Sequence, residues 1–461
     1  MNILLLQREL RIEDNNLILS AAELNQDFLP VFIFDKSELL KVKNKESKNI
    51  NFLIEAVLKL KNDLQKQGSD LIIFYGKKYD ILSRIVKTLN SETIISGKTY
   101  DLATINLYKK LNKLCKVLEI KDSFLTDFEI VKDNSEAFKV YTPYKNKFLK
   151  SVKIEKPINQ QLKLKKINFS RIKTLLKKEK LYFIDSDHSE EVLNKIGFKK
   201  SELGDFSIED ADKKFNKFFE KGIFDYHKTR DYPDIEGTSK LSPYLRYGLI
   251  SIRKCFYECL KNKKKKGITT WMLELIWREF YATTLYHFPK MQSEEFMEKY
   301  SKLKWNYDNK KLKLWKEGKT GYPIIDAGMR QLKETGWMHN RMRMVVASFL
   351  TKNLFIDWRL GEEHFADYLI DYEPASNIGG WQWSASVGID PQPYFRIFNP
   401  FNQSKKFDKN ANYIQKYIPE LKNIEPKVIH SDTKINEYFD KIVDYKKSRK
   451  VAIKNFKNVT D

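Results

Sequence analysis

Four stretches of the chain gather residue types that could do chemistry together. Residues 371–383 read DYEPASNIGGWQW, with two acids, an amide and two indoles close in sequence. Pro374 and the Gly379-Gly380 pair predict an irregular loop there. Such a loop is a common carrier of binding groups, and adjacent glycines let backbone approach a ligand closely. Residues 226–242 read YHKTRDYPDIEGTSKLS, beginning with Tyr226. Thr238, Ser239, Lys240, Leu241 and Ser242 place hydroxyls and a cation just ahead of a predicted helix start. Free N–H groups at such a start suit a phosphate, and N-capping by Ser or Thr fits the same pattern. In 272–287, Leu273, Ile276, Trp277, Phe280 and Tyr281 recur at helical spacing. Glu274 and Arg278 stand in the favourable i,i+4 order for an ion pair; a core helix with a surface pair reads equally well. In 335–355, Asn340 and Met344 are predicted to share a helix face. The amide offers a donor and an acceptor and the thioether an adaptable apolar contact. Together they could read a flat, polar-edged ring, and a capping Asn with a core Met fits as well.

These residues need elements to hold them. The first 130 residues alternate apolar runs with amphipathic stretches. Strands are predicted near Ile3–Leu6, Phe28–Phe34, Leu71–Tyr75, Thr93–Ser96 and Leu118–Ile120, and helices near 16–25, 49–67, 80–90 and 102–116. That alternation predicts an α/β domain with a doubly wound parallel sheet. No GxGxxG follows the first strand, so this domain need not bind a dinucleotide. Residues 131–200 read as a Lys-rich linker with short helices, interrupted by Tyr141-Thr142-Pro143-Tyr144. From 201 to 461 helical periodicity dominates, predicting an all-α domain. Lys263–Lys266 reads as an exposed loop.

Composition narrows the class. Hydrophobic residues make up 42% and aromatics 13%, which excludes a disordered chain. No apolar run is long enough to span a membrane, and the opening Met1–Leu6 reads as a buried strand rather than a signal peptide. The three Cys form no CxxC motif and no even framework, which fits a reducing cytoplasm and no zinc or other metal. Net charge is +23, which favours a polyanionic partner such as nucleic acid. Of 84 basic residues only 14 are Arg, and nine of those lie between Arg230 and Arg396. In a chain that defaults to Lys, Arg marks a need for its planar fork, which holds carboxylates and phosphates by two points. The working site is therefore expected in the second half.

Five co-linear motifs complete the picture: Trp277-Arg278-Glu279-Phe280, Gly321-Tyr322-Pro323, Trp337–Arg341, Gly379–Trp383 and Tyr394–Pro400. In these the chain resembles the photolyase/cryptochrome family, nearest to the class I cyclobutane pyrimidine dimer photolyases of bacteria. The resemblance implies FAD, active when reduced, inside the helical domain. Tyr226 and Thr238 through Ser242 would hold its phosphates, with Lys240 where relatives usually carry Arg. Asp371, Tyr372 and Glu373 would lie along the flavin and ribose edge, Arg343 would pair with Asp371, and Asn377 would sit near the flavin N5. Glu373 stands in place of a second Asp, and Ile378 where relatives often have Asn. The resemblance further implies damaged DNA as partner to a monomer, with the dimer held by Glu274, Trp277, Asn340, Met344 and Trp383. Arg230, Arg278, Arg341 and Gln403 would contact the DNA backbone. Trp381, Trp358 and Trp305 match the family's electron relay to the flavin. Relatives often add an antenna such as methenyltetrahydrofolate; here Leu6-Gln7-Arg8 and Thr104 depart from the pattern expected for one.

Three rivals remain, one of them a basic nucleic-acid-binding module with no catalysis. A cryptochrome-type light receptor would share FAD and the relay, but often carries a long tail, whereas little follows the last helical segment near 450. A (6-4) photolyase would bring His to the pocket, which makes His339 the residue to locate.

Overall fold

A computed structural model describes residues 1–158 and 164–459. Five parallel strands form one sheet: β1 Asn2–Leu5, β2 Phe28–Asp35, β3 Ile72–Gly76, β4 Thr93–Gly97 and β5 Lys116–Ile120. Their order is β3-β2-β1-β4-β5. Strand β1 is buried along its whole length and β2 nearly so, because helices cover both faces of a parallel sheet. Those helices span Asn16–Glu23, Lys48–Lys66, Lys78–Leu89 and Leu102–Leu111. The last is shorter than predicted. Asn112 accepts a bond from the Val117 backbone N–H at 2.9 Å, which ends the helix and frees Lys116–Ile120 to pair with β4. The strand order reverses between β1 and β4, where open α/β sheets offer a ligand crevice. Here Gln7 bonds Ser96 and Tyr108 across it.

The connecting stretch holds short helices at Tyr141–Ser151, Phe169–Lys177 and Ser189–Ile196; its residues 159–163 lie outside the described ones. Beyond it the chain is helical. Its axis is the Lys266–His287 helix, which packs against Pro374–Ala385, Tyr226–Thr229 and Tyr141–Ser151. Lys263–Lys265 are exposed as predicted, but Lys266 already begins that helix.

The irregular loop predicted for 371–383 is instead mostly helix, Pro374–Ala385. Pro374 stands in the first turn, where its missing N–H costs nothing. Ser386 closes the helix in the left-handed region at φ 64°. The glycines that argued for a loop serve packing instead. A Cβ on Gly379 would overlap the Tyr281 ring, whereas one on Gly380 would meet nothing within 4 Å.

Arginine forks tie the two halves together. Arg11 bonds Asp122 at 3.0 Å and the Gly248 carbonyl at 3.0 Å. Arg253 grips Asp14 at 2.5 Å, and Arg8 grips Glu373 at 2.9 and 3.2 Å. Among the nine second-half arginines, pairing with protein carboxylates or carbonyls is the rule. The usage pattern therefore marks internal clamps more than phosphate contacts. Gly248, at φ 65°, lies directly against the Arg8 carbonyl. Gly248→Ala combines left-handed strain with overlap at the seam, and should destabilise the protein by about 1–3 kcal/mol. Urea unfolding should show a lower midpoint with an unchanged slope.

Candidate active site

A cavity of about 500 Å³ opens between the Lys266–His287 and Pro374–Ala385 helices. The first helix contributes Glu274, Trp277 and Tyr281, the second Asn377, Gly380, Trp381 and Trp383. Tyr226 and Thr238 through Ser242 line another wall. Asn340, Arg343 and Met344 come from the Asn340–Ser348 helix, and Asp371 and Glu373 from the turn before Pro374. Most of the predicted cofactor and lesion residues thus share one space.

Three carboxylates, two buried and one half-buried, set its electrostatics. Asp371, with a side chain 3% exposed, takes both contacts from one Arg343 nitrogen at 2.8 and 3.0 Å. Arg343 is itself steadied by its Nε–H on the Met338 carbonyl at 2.8 Å. The expected Arg343–Asp371 pair is present. Glu373 receives Arg8 and the Tyr100 hydroxyl, both from the N-terminal domain. Burial pushes its carboxyl up, and Arg8 pulls against that shift. The extra methylene of Glu373 thus reaches a fork across the domain seam. Glu274 does not pair with Arg278 as its spacing predicted. It bonds Arg230 at 2.6 Å, burial pushing its carboxyl up and Arg230 drawing it back.

The other site residues divide. Thr238–Ser242 precede a helix of only five residues, Ser242–Arg246, so hydroxyls rather than a long helix dipole are what that wall offers. Lys240 adopts φ 51° and gives its ammonium to Asp205 at 3.0 Å. Trp277 is stacked by Tyr141, centroids 3.6 Å apart and planes 6° from parallel, so one of its faces is already taken. Asn340 Nδ2 lies 3.9 Å from Met344 Sδ, which places both on one face as predicted. His339, not Asn340, caps that helix. It is 2% exposed, its Nδ1 accepts the Arg341 N–H, and burial lowers its pKa to about 4. His339 is therefore neutral and lies outside the cavity lining. Asn377 directs its amide nitrogen at Glu362 Oε1, 3.1 Å away. Ile378 turns into the core.

The remaining predicted residues are spread between cavity, seam and core. Arg278 is buried, donates to the Ser123 carbonyl at 2.9 Å and covers the Phe124 ring; burial lowers its pKa to about 10. It sits at the domain seam and also lines the cavity. Tyr372 does not line the cavity; its hydroxyl bonds Glu362. Arg341 and Gln403 also lie outside the lining. Arg341 is paired with Asp231 at 2.7 Å and covers the Phe407 ring. Trp381 lines the cavity, but its ring neighbours are Phe365 at 5.0 Å and Trp315 at 6.0 Å. Among the described residues, neither Trp358 nor Trp305 forms a ring pair with it. Sequence reading gave no site role to Trp315, Tyr141, Glu362, Arg8 or Tyr100. Each is distant in sequence from the group it supports, so no local spacing announced it.

Comparison with known proteins agrees with this geometry. The family model described as the FAD binding domain of DNA photolyase matches residues 271–458, and that described as DNA photolyase matches residues 2–163. A deoxyribodipyrimidine photo-lyase of Alkalihalophilus pseudofirmus is 36% identical, covering 98% of this chain and 96% of its own. The chain belongs to the DNA photolyase family. One from Vibrio cholerae is 38% identical over 82% of this chain and 81% of its own. The crystal structure of an archaeal photolyase from Sulfolobus tokodaii, holding two FAD molecules, superposes with a TM-score of 0.84 at 31% identity, covering 99% of this chain and all of that one. A Synechocystis cryptochrome at 24% identity and TM-score 0.86 shares the fold.

The cavity fits the FAD that this photolyase family binds. Its volume lies in the usual range for ligand sites, about 300–1,000 Å³. Gly380 leaves open space where a side chain would intrude, and the hydroxyls of Thr238, Ser239 and Ser242 suit phosphate oxygens. The Arg343–Asp371 pair offers both a donor fork and a carboxylate to a polar ring edge. Arg343→Met should strand the Asp371 carboxylate, at a cost of about 3–5 kcal/mol. Purified variant protein should show a several-fold lower ratio of flavin to protein absorbance than the parent.

Proposed function

We propose that this protein repairs cyclobutane pyrimidine dimers in DNA with light absorbed by bound, reduced FAD. The observation that carries the reading is the joining of two residue sets in one cavity. Asp371, Glu373, Asn377 and Thr238–Ser242 line the same space as Glu274, Trp277, Asn340, Met344 and Trp383. When bound, reduced FAD supplies a photoexcited electron to the dimer and takes it back after the ring bonds break, with no net redox change.

The chain's own part is to bind, orient and exclude water. A cross-linked dimer stacks badly, so extruding it costs less than extruding normal bases, itself roughly a few kcal/mol. Trp383 and the free face of Trp277 give flat walls to the extruded bases. Tyr141, stacked behind Trp277, keeps that wall upright. Asn340 offers a donor and an acceptor to a pyrimidine edge. Glu274, 31% exposed to the cavity and braced by Arg230, offers its carboxyl oxygens to the other. Arg230, Arg341 and Gln403 serve the DNA backbone in this reading, positioning it without reading sequence. Trp381, Trp358 and Trp305 carry electrons inward to an oxidised cofactor, a step separate from repair. His339, neutral and off the cavity, supports a cyclobutane rather than a (6-4) lesion. The protein is read as acting as a monomer. The work is done in a cytoplasm, where free Cys115, Cys255 and Cys259 stay reduced. Among the described residues no helix is long and apolar enough to cross a membrane. The division into 1–130, 131–200 and 201–461 is retained as antenna-type, linking and catalytic segments.

Ultraviolet-irradiated oligothymidylate, mixed with dithionite-reduced protein under blue light, should regain thymine absorbance, and dark samples should not. Absence of light-dependent recovery would overturn the reading. Trp277→Ala should weaken dark binding of the dimer-bearing strand by about 1–3 kcal/mol, the worth of one base stacked on an aromatic ring.

A further inference from the structure

The outer two tryptophans of the relay sit in unequal surroundings. Trp358 is fully buried at the start of the Trp358–Tyr368 helix, and its indole N–H has no hydrogen-bond partner. The guanidinium of Arg359 lies over its ring, 4.8 Å from the centroid. Trp305 is 7% exposed, and its indole N–H donates to Glu295 Oε1 at 3.4 Å. One fork joins these two settings. Arg359 bonds Glu295 by two parallel contacts, 2.9 and 2.8 Å, and its Nε–H donates to the Ser293 carbonyl at 2.6 Å. Asp357 bonds the same guanidinium at 3.1 and 3.2 Å from within the helix cap. Burial pushes Glu295 up, but the bonds from Arg359 outweigh it and hold the carboxyl below its ordinary value, so it is an anion at neutral pH.

We propose that the Arg359–Glu295 pair makes oxidation settle on Trp305 rather than Trp358, and so gives the relay its outward direction. This rests on the relay reading above. A cation over an indole face opposes loss of an electron from that ring; a carboxylate accepting an indole N–H favours it. The pair therefore holds its positive end to the inner ring and its negative end to the outer one. The Glu295 carboxylate is 8% exposed and the Arg359 guanidinium 32% exposed, so the negative end acts with less solvent screening than the positive end. Asp357 tempers the cation from one side, and Trp305 alone has a carboxylate on its N–H. In the relay reading Trp381, on the cavity wall, would give one electron to a photoexcited oxidised flavin held there. Trp358 refills Trp381, and Trp305 refills Trp358. No bond is made or broken in these transfers; the Trp305 N–H proton stays shared with Glu295 until an external thiol-class reductant returns one electron. Glu295 and Arg359 touch neither cofactor cavity nor lesion wall, so they are positioning residues.

Laser-flash absorption of the FAD-loaded protein in its oxidised form tests this, read as the yield of long-lived tryptophan radical. Glu295→Gln, nearly isosteric, should lower that yield about tenfold, matching a loss of about 1.4 kcal/mol of bias. Flavin content and repair by dithionite-reduced protein should stay at parent levels. Arg359→Gln, which removes the cation from Trp358, should lower the yield as well. Trp305→Phe, run alongside, should abolish the long-lived signal. If Trp305→Phe abolishes it and both pair variants match the parent, the pair has no directing role and the proposal falls alone. If Trp305→Phe itself keeps the parent signal, Trp305 is not the terminal donor, and the relay reading falls with the proposal.

Discussion

The close crossing of the Lys266–His287 and Pro374–Ala385 helices is the constraint on which the rest depends. Gly379 lies so near the Tyr281 ring that no side chain fits between them. That approach brings Glu274 and Trp277 on one helix opposite Asn377, Trp381 and Trp383 on the other. One residue on, Gly380 turns its missing side chain toward the cavity. Adjacent glycines thus do opposite things: one closes the helix contact, and the other keeps the ligand space open. A third, Gly361, lets the Trp358–Tyr368 helix lie against the Trp381 ring. Protein interiors tolerate little added volume, so these positions set where the cavity can be.

The second organising feature is the use of arginine. Lysine covers the surface, and arginine appears where a fork must hold something inside. Arg8 reaches Glu373, Arg11 and Arg253 lock the Asp14 and Asp122 corner, Arg343 holds Asp371, and Arg359 holds Glu295. Two of these clamps cross from the N-terminal domain to the helical one. The Arg8–Glu373 clamp ends on the cavity wall itself, so the N-terminal domain helps shape the cofactor site. Buried pairs of this kind are weak evidence for net stability, but breaking one leaves an uncompensated charge. Their value here is geometric: Arg8 and Arg343 fix carboxylates on the cavity wall, and Arg11 and Arg253 fix the domain seam.

Much of this was legible in the sequence, and the failures have identifiable causes. Strand and helix alternation is a strong local signal, and all five predicted strands are present and paired in one parallel sheet. The helical stripe through Trp277 and Tyr281 and the shared face of Asn340 and Met344 were equally local. Residues 371–383 were misread because Pro and Gly break helices only when nothing else compensates. At the first turn Pro is harmless, and mid-helix Gly was bought by tertiary packing. The Glu274–Arg278 pair failed because helix spacing says two side chains can meet, not that they will. Arg230 offered Glu274 a partner inside the cavity, while Arg278 found the Ser123 carbonyl across the seam. Glu295, Trp315 and Tyr141 were invisible because their roles arise from neighbours remote in sequence.

The central claim is that one helix crossing builds a single space for both flavin and lesion. Gly379→Ala tests it most directly, because the added methyl touches neither ligand yet must push the helices apart. Flavin content and dark affinity for dimer-bearing oligothymidylate should be measured on the same folded preparation. Both should fall together. Parent-level flavin content and parent-level dimer affinity in a stably folded Gly379→Ala protein would contradict it.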